Sequence, residues 1–219
     1  MRRIWHTFFL EPVNTLTHLI AALGSLVATA VFILLTPYNL PKLLSLLVFS
    51  LSMVILFTAS ALLHGWRVPE RQRMWLNRLD HMAIFLAIAG TYTPIIYNLF
   101  PKAWHWSVLL PVWIVSFVGM GFKLLSKQIH GFLNAAIYVI LAWGSILPLL
   151  FVINITELMP WSAWGLLLLG GIIYTLGFVI YYRQWPDPWP DRFGHHEIWH
   201  LFVMGGSLCH FLFMFWYIV

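Results

Sequence analysis

The chain has 219 residues, of which 61% are hydrophobic and only 9% charged, with a net charge of +5 and a mean hydropathy of +0.85. Soluble domains carry about 25% charged residues, so this balance excludes a soluble fold and makes the chain an integral membrane protein. The positive charge then bears on membrane orientation and anionic headgroups, not on nucleic acid, and the lone Cys209 excludes an internal disulfide.

A helix needs about 20 apolar residues to cross the hydrocarbon core. The sequence offers seven such windows, near 15–35, 43–64, 80–99, 106–125, 132–153, 162–182 and 197–218. They leave little chain over, so the expected fold is an all-α membrane protein: one domain over 1–219, built as a seven-transmembrane helix bundle. Loops such as "TPYNLPK" and "QWPDPWPDRFG" carry the Pro and Gly punctuation of turns. The first apolar run, after Asn14, is too long for a signal-peptide core and lacks a cleavage site before Pro37, so it is expected to stay attached.

Basic residues in short loops stay on the cytoplasmic side. With a cytoplasmic N-terminus the inside segments hold Arg2, Arg3, Arg67, Arg71, Arg73, Arg78, Lys123, Lys127, Arg183 and Arg192, and the outside loops only Lys42 and Lys102. The C-terminus, Val219, is therefore expected outside. Most of the thirteen tryptophans fall at expected helix ends, as interfacial belts require.

This topology turns a linear list of polar residues into a spatial one. Glu11, Asn14 and His18 begin helix 1, Ser60 and His64 end helix 2, Asp80 begins helix 3, and His196 and His200 begin helix 7, all toward the cytoplasmic side. An Asp at a helix centre in the bilayer costs about 2.5–3.5 kcal/mol on insertion scales, so such residues pair, line water or bind metal. A shared site is the economical explanation.

Zinc chemistry suits these residue types best. His196 and His200 are four apart and share one helix face, and His64 supplies a third nitrogen. Three protein ligands with an open fourth position are the signature of a catalytic zinc, which lowers the pKa of its water to about 7. Asp80 suits a base or an orienter of that water or of a ligand imidazole. Ser60, one turn from His64, suits a hydrogen-bond donor to a polarised carbonyl. Glu11, Asn14 and His18, spaced i, i+3, i+7, read as a supporting polar network.

Blander readings apply elsewhere. His6, His81, His105, His130 and His195 suit hydrogen bonding at helix ends or headgroups. His210 lies ten residues beyond His200, roughly 15 Å along the axis, and reads as a packed core histidine. "HEIWH" also satisfies H-E-x-x-H, in which Glu197 would be the base of a metalloprotease. The longer metzincin pattern needs Gly at 203 and His at 206, where the chain has Val203 and Gly206.

"EPVNTLTH", "SALLH", "LDHMAIFLAIAGTYTP" and "HHEIWHLFVMGGSLCHF", in this order, resemble the bacterial hemolysin III branch of the progestin and adipoQ receptor (PAQR) family. The resemblance implies seven helices, a cytoplasmic N-terminus, location in the bacterial inner membrane, and Zn2+ near the cytoplasmic face. It places the ligands on His64, His196 and His200 and the associated acid on Asp80, with Ser60 beginning S-x-x-x-H. It also implies kinship with membrane hydrolases of lipid amides such as ceramide. The chain lacks the long soluble N-terminal extension of receptor members, which argues against hormone reception.

The functional expectation is a zinc-dependent hydrolase of lipid amide or ester bonds, with a fatty-acyl or sphingolipid-like molecule in the bundle interior. The alternatives are a non-catalytic membrane sensor, channel-like homeostasis protein or cytolysin in which zinc braces helices 2 and 7, and an intramembrane H-E-x-x-H protease. The partners are membrane lipids, and oligomeric state is left open.

Overall fold

A computed structural model describes residues 9–125, 131–144, 158–190 and 192–219, with backbone alone over 131–136. In hydrocarbon each backbone N–H and C=O must be satisfied within the chain, and the described residues meet that demand with α-helices and no β-strand. The helices are α1 (Pro12–Leu35), α2 (Leu40–Gly65), α3 (Glu70–Leu99), α4 (Lys102–Leu125), α5 (Gly131–Gly144), α6 (Trp161–Arg183) and α7 (His195–Tyr217). Six of them, all but α5, are long and apolar enough to cross a membrane. The remainder of the window expected over 132–153 lies outside the described residues, as do His6 and His130.

The largest difference from the sequence expectation is α3, which begins at Glu70 rather than near 80. Hydropathy detects only the part of a helix that meets lipid. Before it, "ERQRMWLNRL" is polar but rich in good helix formers, Glu70 complements the helix dipole in the first turn, and Arg78 lies 5.0 Å over the Trp75 ring. Asp80 is therefore nearly three turns inside α3, and the preceding turns carry arginines toward the start of α1.

Successive helices pack on one another from α1 to α4, α6 packs on α7, and α7 returns to α1 and α3. Small residues permit the close approaches. A Cβ on Gly206 of α7 would lie 2.6 Å from the Tyr174 ring of α6. One on Gly65, the last residue of α2, would lie 2.8 Å from Thr15 Cγ2 of α1. At that second crossing the Leu10 and Glu11 N–H groups donate to the Gly65 and His64 carbonyls, at 3.3 and 2.9 Å. The start of α1 is thereby stapled to the end of α2. Apolar residues fill the interior, among them Phe32, Phe49, Phe57, Ile96, Phe213 and Met214, while Leu34, Val27, Phe117 and Val118 face outward as a lipid-exposed surface requires.

Candidate metal centre

His64 ends α2, and His196 and His200 occupy the first two turns of α7. The three rings form a near-equilateral triangle, with centroids 4.9 Å (His64–His196), 4.9 Å (His64–His200) and 5.0 Å (His196–His200) apart. One ring nitrogen of each lies within 4.8 Å of the others. His64 and His200 are 6% and 2% exposed, and His196 is half-buried. Three imidazoles crowded together out of water make a poor apolar core and a suitable donor set for a borderline metal ion.

The hydrogen bonds around the triangle decide which nitrogen each ring presents. His64 Nδ1 lies 2.6 Å from Glu11 Oε2. A carboxylate only accepts, so Nδ1 carries the hydrogen and the Nε2 lone pair is left free. At His200, Nδ1 lies 3.4 Å from Thr17 Oγ1. The Thr17 hydroxyl donates to the Val13 and Asn14 carbonyls, at 2.9 and 3.0 Å, so it accepts from Nδ1, again freeing Nε2. A carboxylate or hydroxyl behind a metal-binding imidazole fixes its tautomer and anchors that edge of the ring in just this manner.

Glu11 holds the network together. Its position just before α1 leaves its side chain free, since it makes no cap to its own helix. Oε2 accepts from His64 and from Asn14 Nδ2, the latter at 3.0 Å, and Oε1 faces Arg73 at 3.6 Å. The hydrogen bond from His64 lowers the Glu11 pKa to about 2, so the group is a carboxylate at neutral pH. Asn14 Nδ2 also donates to Glu197 Oε1 at 2.9 Å, and Glu197 Oε2 accepts from the Gly194 N–H at 2.8 Å. Four helices are thus joined at one point: α3 through Arg73, α1 through Glu11 and Asn14, α2 through His64, and α7 through Glu197.

Asp80 lies beside the triangle rather than in it. Ser60 Oγ, 3% exposed, donates to the Asp80 carboxylate, which also interacts electrostatically with His64. His81 Nδ1 approaches Asp80 at 3.9 Å but is spent on the Asn77 carbonyl at 2.8 Å. Among the described residues the group able to hold an ion consists of the three imidazoles alone. His18 stacks on His200 with centroids 3.6 Å apart. The structure therefore gathers all eight residues singled out in the sequence at one end of the bundle.

Sequence reasoning missed Arg73, Thr17 and the bridging role of Glu197. For Glu197 a signal existed: it is the third residue of α7, the position from which a Glu reaches back to an N-cap N–H. With one oxygen on Gly194 and the other on Asn14, Glu197 is occupied as a cap and a bridge, not poised as the base that an H-E-x-x-H protease needs. His105 Nε2 pairs with the Phe100 carbonyl at 2.9 Å, and His210 packs against Tyr174 with centroids 5.7 Å apart.

Long apolar helices and a histidine triangle at one end of the bundle define the class: a multi-pass membrane protein with a candidate metal centre. The family model "Haemolysin-III related" matches residues 6–211, and the chain belongs to that family. It is 31% identical over 212 residues to the hemolysin-3 homolog of Bacillus subtilis (strain 168), covering 95% of this chain and 94% of that protein. It is 30% identical over 211 residues to hemolysin-3 of Bacillus cereus, covering 95% and 92%. A more distant likeness, 26% identity over 151 residues, links it to the adiponectin receptor protein of Drosophila melanogaster, covering 62% of this chain and 33% of that protein. These relatives agree with the progestin and adipoQ receptor resemblance. They place the chain among the multi-pass proteins of the bacterial inner membrane.

Proposed function

We propose that the chain is a zinc-dependent membrane hydrolase acting on an amide or ester bond of a lipid. His64, His196 and His200 hold the ion, and the carrying observation is that one nitrogen of each lies within 4.8 Å of the others. The residues fit that ion: all three donors are nitrogens, two have their tautomer set from behind, and no fourth histidine, cysteine or carboxylate among the described residues closes the set. When bound, zinc supplies a Lewis acid and lowers the pKa of water.

The rest of the chemistry falls to the chain's own side chains. Asp80, aligned by the Ser60 hydroxyl, takes and returns the proton. Glu11 and Thr17 keep the ring nitrogens of His64 and His200 directed at the site. The acyl chain of the substrate lies in the apolar interior, and its polar bond reaches the histidine end. We read the bundle as a single domain of seven spans, with the N-terminus cytoplasmic and Val219 outside. The arginines at the histidine end support that orientation through cytoplasmic retention of basic loops.

A second reading has support in the likeness to a protein named a receptor. In it the ion only braces α2 and α7, and the site senses rather than cleaves. The two separate on purified chain, wild type and Asp80→Ala, assayed for bound zinc and for hydrolysis across a panel of ceramides, acyl amides and esters. Catalysis predicts one zinc in both forms, and turnover that falls by about 10²–10⁴ in the variant. Zinc in both with no turnover in the wild type rejects the hydrolase and leaves the brace.

A further inference from the structure

His18 does not fit the part of a polar network member. It is only 4% exposed, neither of its ring nitrogens pairs with another side chain, and the one acceptor in reach is the His200 backbone carbonyl. A buried imidazole so sparsely paired is uncommon, since buried polar groups are nearly always satisfied. Its ring, by contrast, is fully engaged. It lies flat on His200, with centroids 3.6 Å and planes 8° apart, closer than the usual ~4.5–7 Å of aromatic pairs. The edge-on ring of Phe57 in α2 meets it at 5.1 Å and 71°. Phe57 is itself 2% exposed, so α2, α1 and α7 contribute a packed column of three rings that ends on His200.

We propose that His18 is a positioning residue that acts through the face of its ring, as a platform that fixes the plane of His200. The inference rests on the metal reading above. The hydrogen bonds to Thr17, at 3.4 Å, and to the Asn14 backbone carbonyl hold His200 by its edge and leave its plane unset. A ring held at one edge can still pivot, and the flat contact from His18 removes that freedom. The contact also favours the loaded state. Coordination to a cation draws electrons from the His200 ring, and an electron-rich aromatic face against an electron-poor one is attractive.

The platform is tested on the full chain in detergent, as wild type, His18→Ala, His18→Gln and His18→Phe. Zinc affinity is read by competition with a chromophoric chelator, and the geometry of the site by the visible spectrum of added Co2+. Loss of the flat face in the Ala and Gln variants is expected to weaken zinc by about ten- to a hundredfold, the usual cost of removing support behind a ligand, and to shift the Co2+ bands. Phe, which restores a face and has no nitrogen, is expected to recover wild-type affinity and spectrum. Phe as weak as Gln would overturn the proposal by showing that a nitrogen is needed, and Gln as tight as wild type would overturn it by showing that the ring is dispensable. If the Ala variant does not fold, the Gln and Phe pair decides between those outcomes. A wild type that takes up no metal sinks the metal reading, and this inference with it, and is told apart because it shows before any substitution is made.

Discussion

His200 and His210 stand ten residues apart on the same helix, and the protein treats them in opposite ways. His200 is one corner of a triangle of imidazoles, backed by Thr17 and faced by His18. His210 meets Tyr174 and lies against Gly170, where an added Cβ would come within 2.6 Å of its Nε2. Both are histidines on an apolar helix, so residue type does not separate them. What does is convergence: at the level of His200, α1, α2 and α7 all deliver polar side chains, whereas at the level of His210 the neighbouring helix offers a ring, a glycine and the Leu167 backbone carbonyl. The candidate metal centre is thus a property of one depth, not of one helix.

The same substitution at both places sharpens the contrast. Removing a ligand leaves two nitrogens, too few for the three-ligand sites that zinc adopts in proteins. His200→Leu is therefore expected to abolish stoichiometric zinc, from about one ion per chain to none by elemental analysis, and with it all hydrolysis. Zinc retained at full occupancy in that variant would break the metal reading.

The depth of the site was legible in the sequence because two independent patterns met there. Apolar windows gave the helix ends, and the i, i+4 pair His196 and His200 fell at one of those ends beside Ser60 and His64. Less legible was anything that depends on where helices cross. Asp80 was expected at the entrance of its helix, but the polar turns from Glu70 have no hydropathy signal, so Arg73 and its approach to Glu11 stayed hidden. Glu197 was visible as part of H-E-x-x-H, yet its partner Asn14 is 183 positions away, a pairing that no local pattern encodes. The stack of His18 on His200 is of the same kind: spacing placed His18 on the right face, but only tertiary packing sets two rings flat against each other.

A smaller effect is expected one step behind the ligands. Glu11→Gln keeps the size and the acceptor oxygen but discards the charge that holds His64 Nδ1–H at 2.6 Å, and it releases Arg73. Outer-shell changes of this type cost about 10–100-fold in metal affinity, so zinc is expected to bind more weakly but still at one per chain, measured by chelator competition. Glu11 sits 37% exposed at the side chain, so the loss of folding stability should be slight by comparison. An affinity unchanged from wild type would show that backbone staples alone, from Glu11 N–H to the His64 carbonyl, suffice to hold His64 in place.

The smallest effect closes the contrast at its other end. His210→Leu removes a buried Nδ1 that has no partner among the described residues and puts an apolar side chain of similar bulk between Tyr174 and Gly170. The ring's hydrogen bond to the Leu167 backbone carbonyl is lost as well, but exchanging a half-satisfied polar group for an apolar one of like shape is a small change, so thermal unfolding in detergent is expected to move by less than about 1 kcal/mol in either direction. Zinc affinity and the Co2+ spectrum should match the wild type, because nothing at that level of α7 reaches the triangle. If His210→Leu instead loosened the metal, α7 would have to transmit a shift along its length through the tight α6 contact. The centre would then belong to the helix pair as a whole rather than to the single depth at which its polar residues meet.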